Sequence, residues 1–112
     1  NATLFAVGAD FGGVAPGSSG GQLALSPARP NPFVAATTLR FTLAHEDRVT
    51  LEVLDLAGQR VASLYDGAAG AGEHAVRWDG HDARGVRCAT GVYFARLSAS
   101  GRRVTRRLLL VR

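Results

Sequence analysis

The chain has 112 residues, enough for one domain built around one core. Hydrophobic residues make up 46% and charged residues 20%, a globular balance that excludes a disordered tail. The net charge is +4, and no apolar run approaches the ~18–20 residues of a membrane span. The chain opens at Asn1 with neither Met nor a basic-then-apolar leader, as expected of a processed or excised polypeptide.

Residues 1–11, NATLFAVGADF, form a short apolar run in which Thr3, Phe5 and Val7 alternate with Leu4 and Ala6. That alternation predicts a separate N-terminal strand. Residues 12–21, GGVAPGSSGG, are a flexible linker by composition. Ten such residues span about 17 Å r.m.s., so the first segment is free to pack away from its neighbours.

From Gln22 to Arg112 short alternating runs are separated by turn residues, and nothing repeats at a helical period. QLALS (22–26) sets Leu23 and Leu25 on one face. ARPNPF (28–33) holds two prolines and predicts an irregular crossing. TTLRFTL (37–43) turns Leu39, Phe41 and Leu43 inward, and RVTLEVLD (48–55) turns Val49, Leu51 and Val53 inward. LAG (56–58) is a turn. In QRVASLYD (59–66), Val61 and Leu64 stand three apart, which predicts a bulge. GAAGAG (67–72) reads as a loop. EHAVRWD (73–79) places His74, Val76 and Trp78 on one face, and GVYFARLSA (91–99) places Tyr93, Ala95 and Leu97 there. Ser100 and Gly101 make a tight turn into the last strand, RRVTRRLLLVR (102–112). The inward face of that strand is ambiguous because Arg106 and Arg107 are adjacent. Seven such strands predict an all-β fold, a seven-stranded antiparallel Ig-like β-sandwich over residues 22–112. Cys88 is the single cysteine, so packing alone must hold the core; a small hydrophobe's role is expected for it.

The richest stretch for chemistry is RWDGHDARGVRCATGVYFARL (77–97). A zinc site needs three or four converging ligands, and His81, Asp82, Cys88 and the more distant His74 are the candidates. The acids of DGHDARG lack the every-other-residue spacing of a calcium loop. A turn explains the same residues. Asp79 and Asp82 accept backbone N–H bonds, Gly80 and Gly85 take positive φ, and Trp78 plugs the core. We therefore expect no metal and no cofactor. Ser63, Ser98 and Ser100 sit in no nucleophile motif, and no phosphate loop is present, so no catalysis is expected. Asp55 and Asp66 fall at predicted strand ends, where acids cap turns. NAT (1–3) matches a glycosylation sequon, a weak pattern.

Five Arg lie in the last eleven residues: Arg102, Arg103, Arg106, Arg107 and Arg112. They suit an anionic partner such as an acidic glycan, or merely a charged and aggregation-resistant strand. No aromatics interleave with them, which disfavours nucleic acid.

The ordered set PNPF (30–33), TTLRFTL, VTLEVLDLAGQRVASL, GEHAVRWDGHDARG and ATGVYFARL, ending in a basic-apolar strand, resembles a known module. It is similar to the Ig-like domain of flagellar hook-capping proteins and to the C-terminal sorting domains of type IX secretion cargo, over roughly residues 23–112. The resemblance implies a non-catalytic β-sandwich on a secreted or cell-surface protein, recognised by a secretion translocon. Two departures stand out: the usual NPFNPST reads NPFVAAT here, and the chain ends in Arg where Lys is usual.

Three functions are compatible with this reading. The first is an accessory or sorting domain, with residues 1–11 belonging to a preceding domain. The second is a subunit of an extracellular filament, in which Leu4, Phe5, Val7 and Phe11 add as a strand to another copy. The third is a module that binds glycans or anionic surfaces through Arg102, Arg103, Arg106 and Arg107.

Overall fold

Strict alternation of apolar and polar residues gives each strand one buried and one wetted face, and two such faces close on each other. In the computed structural model, which describes residues 23–112, this produces seven strands and no helix among the described residues. The strands are β1 (Leu23–Leu25), β2 (Thr37–Leu43), β3 (Asp47–Leu54), β4 (Arg60–Ala69), β5 (Gly72–Trp78), β6 (Gly91–Ala99) and β7 (Arg102–Leu110). One sheet has the order β1-β2-β5 and the other β4-β3-β6-β7, all antiparallel. No helix among the described residues is long and apolar enough to cross a membrane. The expected strand and linker at residues 1–21 lie outside the described residues.

The core is the set of residues turned inward by alternation. Leu39, Phe41 and Leu43 of β2 meet Val49, Leu51 and Val53 of β3, Ala95 and Leu97 of β6, and Leu108 and Leu110 of β7. At one end Trp78 is 2% exposed and Phe33 1%. Their rings lie 5.5 Å apart, and Tyr93 meets Trp78 edge-on at 5.4 Å. His74, at the other end of β5, is half-buried on the same face, stacked on Phe41 at 4.9 Å.

The prolines of the 28–33 crossing stand in two cis peptides, Arg29–Pro30 and Asn31–Pro32. The segment runs alongside β7 as a short parallel latch. The Asn31 amide donates to Arg107 O (2.9 Å), and its Oδ1 accepts from Leu109 N (2.9 Å). Phe33 N then donates to Leu109 O, and Val111 N to Phe33 O, both at 2.9 Å. Asn31 is the residue type for this task because its carboxamide presents one donor and one acceptor, as a peptide group does. Part of the β7 edge is closed in this way without a further strand.

β4 departs from the expected boundaries. It continues through Gly67–Ala69, so residues 67–69 are strand and Asp66 lies within β4. The cause is pairing: Asp47, Arg48 and Val49 of β3 stand opposite Ala69, Ala68 and Gly67, and the ladder overrides the weak strand propensity of Gly and Ala. Asp66 pairs with Arg48 at 3.5 Å and, lying inside β4, stands at no strand end. The bulge expected from Val61 and Leu64 is present twice. Leu51 faces Tyr65 while Glu52 faces Ser63, and Val53 faces Ala62 while Leu54 faces Arg60. Leu64 and Val61 are the unmatched residues, and both pack against the core.

The ambiguity of β7 is settled by register. Val104, Arg106, Leu108 and Leu110 turn inward, and Arg103, Thr105, Arg107 and Leu109 outward. The β6–β7 turn has φ of 51° at Ser100 and 75° at Gly101, the twin positive values of a type I′ hairpin.

Candidate functional site

The 79–90 loop follows Trp78 and closes the end of the sandwich. Its acids are engaged by backbone. Asp79 Oδ1 accepts from His81 N (3.0 Å), and Asp82 Oδ1 accepts from Arg84 N and Val86 N, both at 2.9 Å. Gly80 and Gly85 sit at φ of 78° and 83°, as the turn requires. The Trp78 indole donates to His81 O at 3.0 Å, and the Tyr93 hydroxyl donates to Ala89 O at 2.6 Å, so two core aromatics also hold the loop from below.

Arg112 holds it from outside. Its guanidinium donates to Gly80 O (2.9 Å) and Cys88 O (3.0 Å), and its backbone N–H donates to Thr90 Oγ1 (2.9 Å). This contact had no signature in the sequence, since it joins residues far apart in the chain. A Cβ added at Gly80 would lie 2.5 Å from the Arg112 guanidinium, at a φ of +78°. Gly80→Ala is therefore expected to displace Arg112 and to destabilise the fold by about 1–2 kcal/mol, the cost of a left-handed non-glycine residue. Urea unfolding measures it.

Electrostatics follow the same hydrogen bonds. Burial works against ionisation of Asp79, but hydrogen bonds and charge from His81 outweigh it and hold the carboxyl below its ordinary value. Val86 N–H, and then Arg84, lower Asp82. Ser100, whose hydroxyl donates to Asp47, lowers that carboxyl, and Arg96 lowers Glu52. A carboxyl with a depressed folded pKa stabilises the fold above its unfolded value, and the contribution is lost as pH falls through the folded value. The melting temperature is thus expected to be level above about pH 5 and to fall below about pH 4. Glu52→Gln should flatten that fall in a pH series of thermal melts.

The remaining candidates divide. His81 Nδ1 lies 3.2 Å from Asp79 Oδ1, but His74 is on β5 with its Nε2 2.7 Å from Gly70 O, directed away from this loop. Among the described residues no three His, Cys, Asp or Glu side chains gather as metal ligands. Cys88 is a half-buried free thiol that packs against the core, and burial raises its pKa. Ser100 donates to Asp47 and faces no histidine base in that bond. Of the arginines, Arg106 turns inward and donates Nε to Leu25 O at 2.6 Å, tying β7 to β1. Arg103 and Arg107 are exposed on the outer face of the four-stranded sheet, and Arg102 is exposed at the hairpin. The terminal arginines therefore do not form one patch. Leu4, Phe5, Val7 and Phe11 lie outside the described residues.

Two sheets of three and four antiparallel strands, sealed at one end by an aromatic plug, define an Ig-like β-sandwich. The FlgD Ig-like domain model matches residues 33–102, and the chain belongs to that family. None of the functionally curated proteins matches it. Among solved structures it is similar to dimeric latent PorU from Porphyromonas gingivalis (20% identity, TM-score 0.64), covering 88% of this chain and 10% of that one. It is also similar to PorZ, a surface component of the type IX secretion system of the same organism (21% identity, TM-score 0.51), covering 80% and 11%. The DNA glycosylase AlkC of Pseudomonas fluorescens shares the fold at 16% identity and TM-score 0.53, covering 84% and 32%. These likenesses concern the fold, and the chain spans a third or less of each of those proteins.

Proposed function

We propose that the chain is a non-catalytic module, extracellular or at the cell surface, carried at the C-terminal end of a larger secreted bacterial protein. In the finer form of this reading it is the element by which a type IX translocon recognises its cargo. The observation that carries it is the joint use of the sorting-type motifs. The Asn31–Phe33 latch, the 79–90 loop and the last residues of the chain, Leu109 to Arg112, meet at one end of the sandwich. A receptor reading that end would meet all three at once. Asp79 and Asp82 accept from the loop's own backbone, which supports reading them as turn-forming residues. The family, and a fold recurring as a small part of two much longer proteins, support a module within a larger polypeptide.

The test is a periplasmic reporter carrying residues 22–112 at its C-terminus, expressed in a bacterium with type IX secretion. The reporter is expected at the surface or in the medium, and in the periplasm of a strain lacking the translocon. The same distribution in both strains would overturn the sorting role.

A further inference from the structure

The edge strands of the two sheets differ in how they are closed. β1 has three residues, and Arg106 of β7 reaches its Leu25 O across that side of the molecule. β7 is latched by Asn31 and Phe33. β4 carries two bulges, and Ala83 N of the 79–90 loop donates to its Val61 O at 3.0 Å. β5 has none of these devices. It pairs with β2 from Gly72 to Trp78 without a register shift, and among the described residues no strand lies on its other side. At the Trp78 end, Arg77 and Trp78 line an open cleft with Ala62, Ser63 and Leu64, so β4 does not close over the edge there. The ladder fixes which backbone groups of β5 are open. Thr38 exchanges both backbone bonds with Arg29, and Arg40 O accepts from Ser26 N, all on the β1 side of β2. By alternation Leu39 and Phe41 bond toward β5, where Val76 and His74 stand opposite them. The N–H and C=O groups of Glu73, Ala75 and Arg77 therefore point out of the sheet edge.

We propose that β5 is a self-recognition edge: it pairs antiparallel with β5 of a second copy about a two-fold axis at Ala75, joining two three-stranded sheets into one. The charge pattern selects both the occupant and the register. Centred on Ala75, Glu73 stands opposite Arg77 of the second copy, and Arg77 opposite its Glu73. The residues brought opposite one another are the ones whose backbones face outward, so each open N–H meets a C=O. The other registers fail. Centring on Glu73 or on Arg77 sets like charges face to face. Centring on Val76 sets Glu73 against Asp79, and centring on His74 sets both charges against alanines. The side chains of Glu73, Ala75 and Arg77 are exposed on the outer face, where two opposite-charge pairs flank the small Ala75. On the inner face His74, stacked on Phe41, and Val76, packed against the core, are half-buried. The pairing sets His74 of each copy against Val76 of the other and covers both. Such a contact is isologous and closes at two copies. A strand of seven residues a side is a small interface, so the pairing is a reversible equilibrium. The proposal does not rest on the secretion reading.

The test uses the full chain, by sedimentation equilibrium and hydrogen exchange across a concentration series. A monomer–dimer equilibrium is expected. As the dimer fills, the Glu73, Ala75 and Arg77 amides should exchange about tenfold more slowly, while those of His74 and Val76, already bonded to β2, stay constant. Ala75→Pro removes an N–H that has no partner in its own sheet, so the fold should persist by circular dichroism. It deletes both hydrogen bonds of the central pair and should weaken dimerisation by about tenfold or more. Glu73→Arg and Arg77→Glu each set like charges opposite and should weaken self-association by about tenfold. Mixed together, these two single variants should pair with each other, and the double variant should dimerise as the parent does. A chain that stays monomeric up to about 1 mM would overturn the proposal. So would protection of the three amides that does not change with concentration, which would mean that the chain covers its own edge. A dimer untouched by Ala75→Pro and by the charge variants would overturn it as well, by placing the contact elsewhere.

Discussion

Trp78→Ala is expected to remove about 3–5 kcal/mol of stability, the usual cost of truncating a fully buried aromatic. Trp78 is 2% exposed, packs between Phe33 and Tyr93, and spends its indole N–H on His81 O. Truncation leaves a cavity under the 79–90 loop and frees one of the loop's anchors. Against a domain stability of ~5–15 kcal/mol the variant would be marginal. Urea unfolding at constant pH measures the loss, and a midpoint within experimental error of the parent would show that the ring is not core.

Phe33→Ala is expected to cost a similar ~3–5 kcal/mol, for a partly different reason. Its ring, 1% exposed, fills the other half of the plug. Its backbone is the latch itself, with N–H on Leu109 O and C=O on Val111 N. Loss of the ring therefore loosens the closure of the β7 edge as well as the core. Because the two rings touch at 5.5 Å, the double variant should lose less than the sum of the singles, with a coupling of about 0.5–3 kcal/mol. Strict additivity would mean that the two rings do not share one cavity.

The strands were legible because inward and outward residues alternate along them. Leu39, Phe41 and Leu43, or Tyr93, Ala95 and Leu97, have no other consistent placement. The turn chemistry of Asp79, Gly80, Asp82 and Gly85 was legible for a similar reason, since it is local. What escaped reading was non-local. The extension of β4 through Gly67–Ala69 depends on β3 opposite it. The orientation of Arg106 depends on its register with β6 and on a carbonyl of β1. Asn31 reads as a loop residue until Arg107 and Leu109 are beside it, and Arg112 reads as one more terminal charge until Gly80 and Cys88 are under it. Phe94 is a subtler case: it alternates outward as a polar residue would, and only the ladder shows that it stands between Leu54 and Arg107.

Arg112 and the aromatic plug hold the Asp-, Gly- and His-rich loop after Trp78 as part of the scaffold. Hydrogen exchange of the Asp82, Gly85 and Cys88 amides tests this most directly, because each donates to a carbonyl within the loop at 2.8–2.9 Å. Their opening free energies are expected to approach that of global unfolding, as for core strands, and to be unchanged by zinc, calcium or excess chelator. Exchange at free-peptide rates, or protection that appears only when a metal is added, would contradict the account.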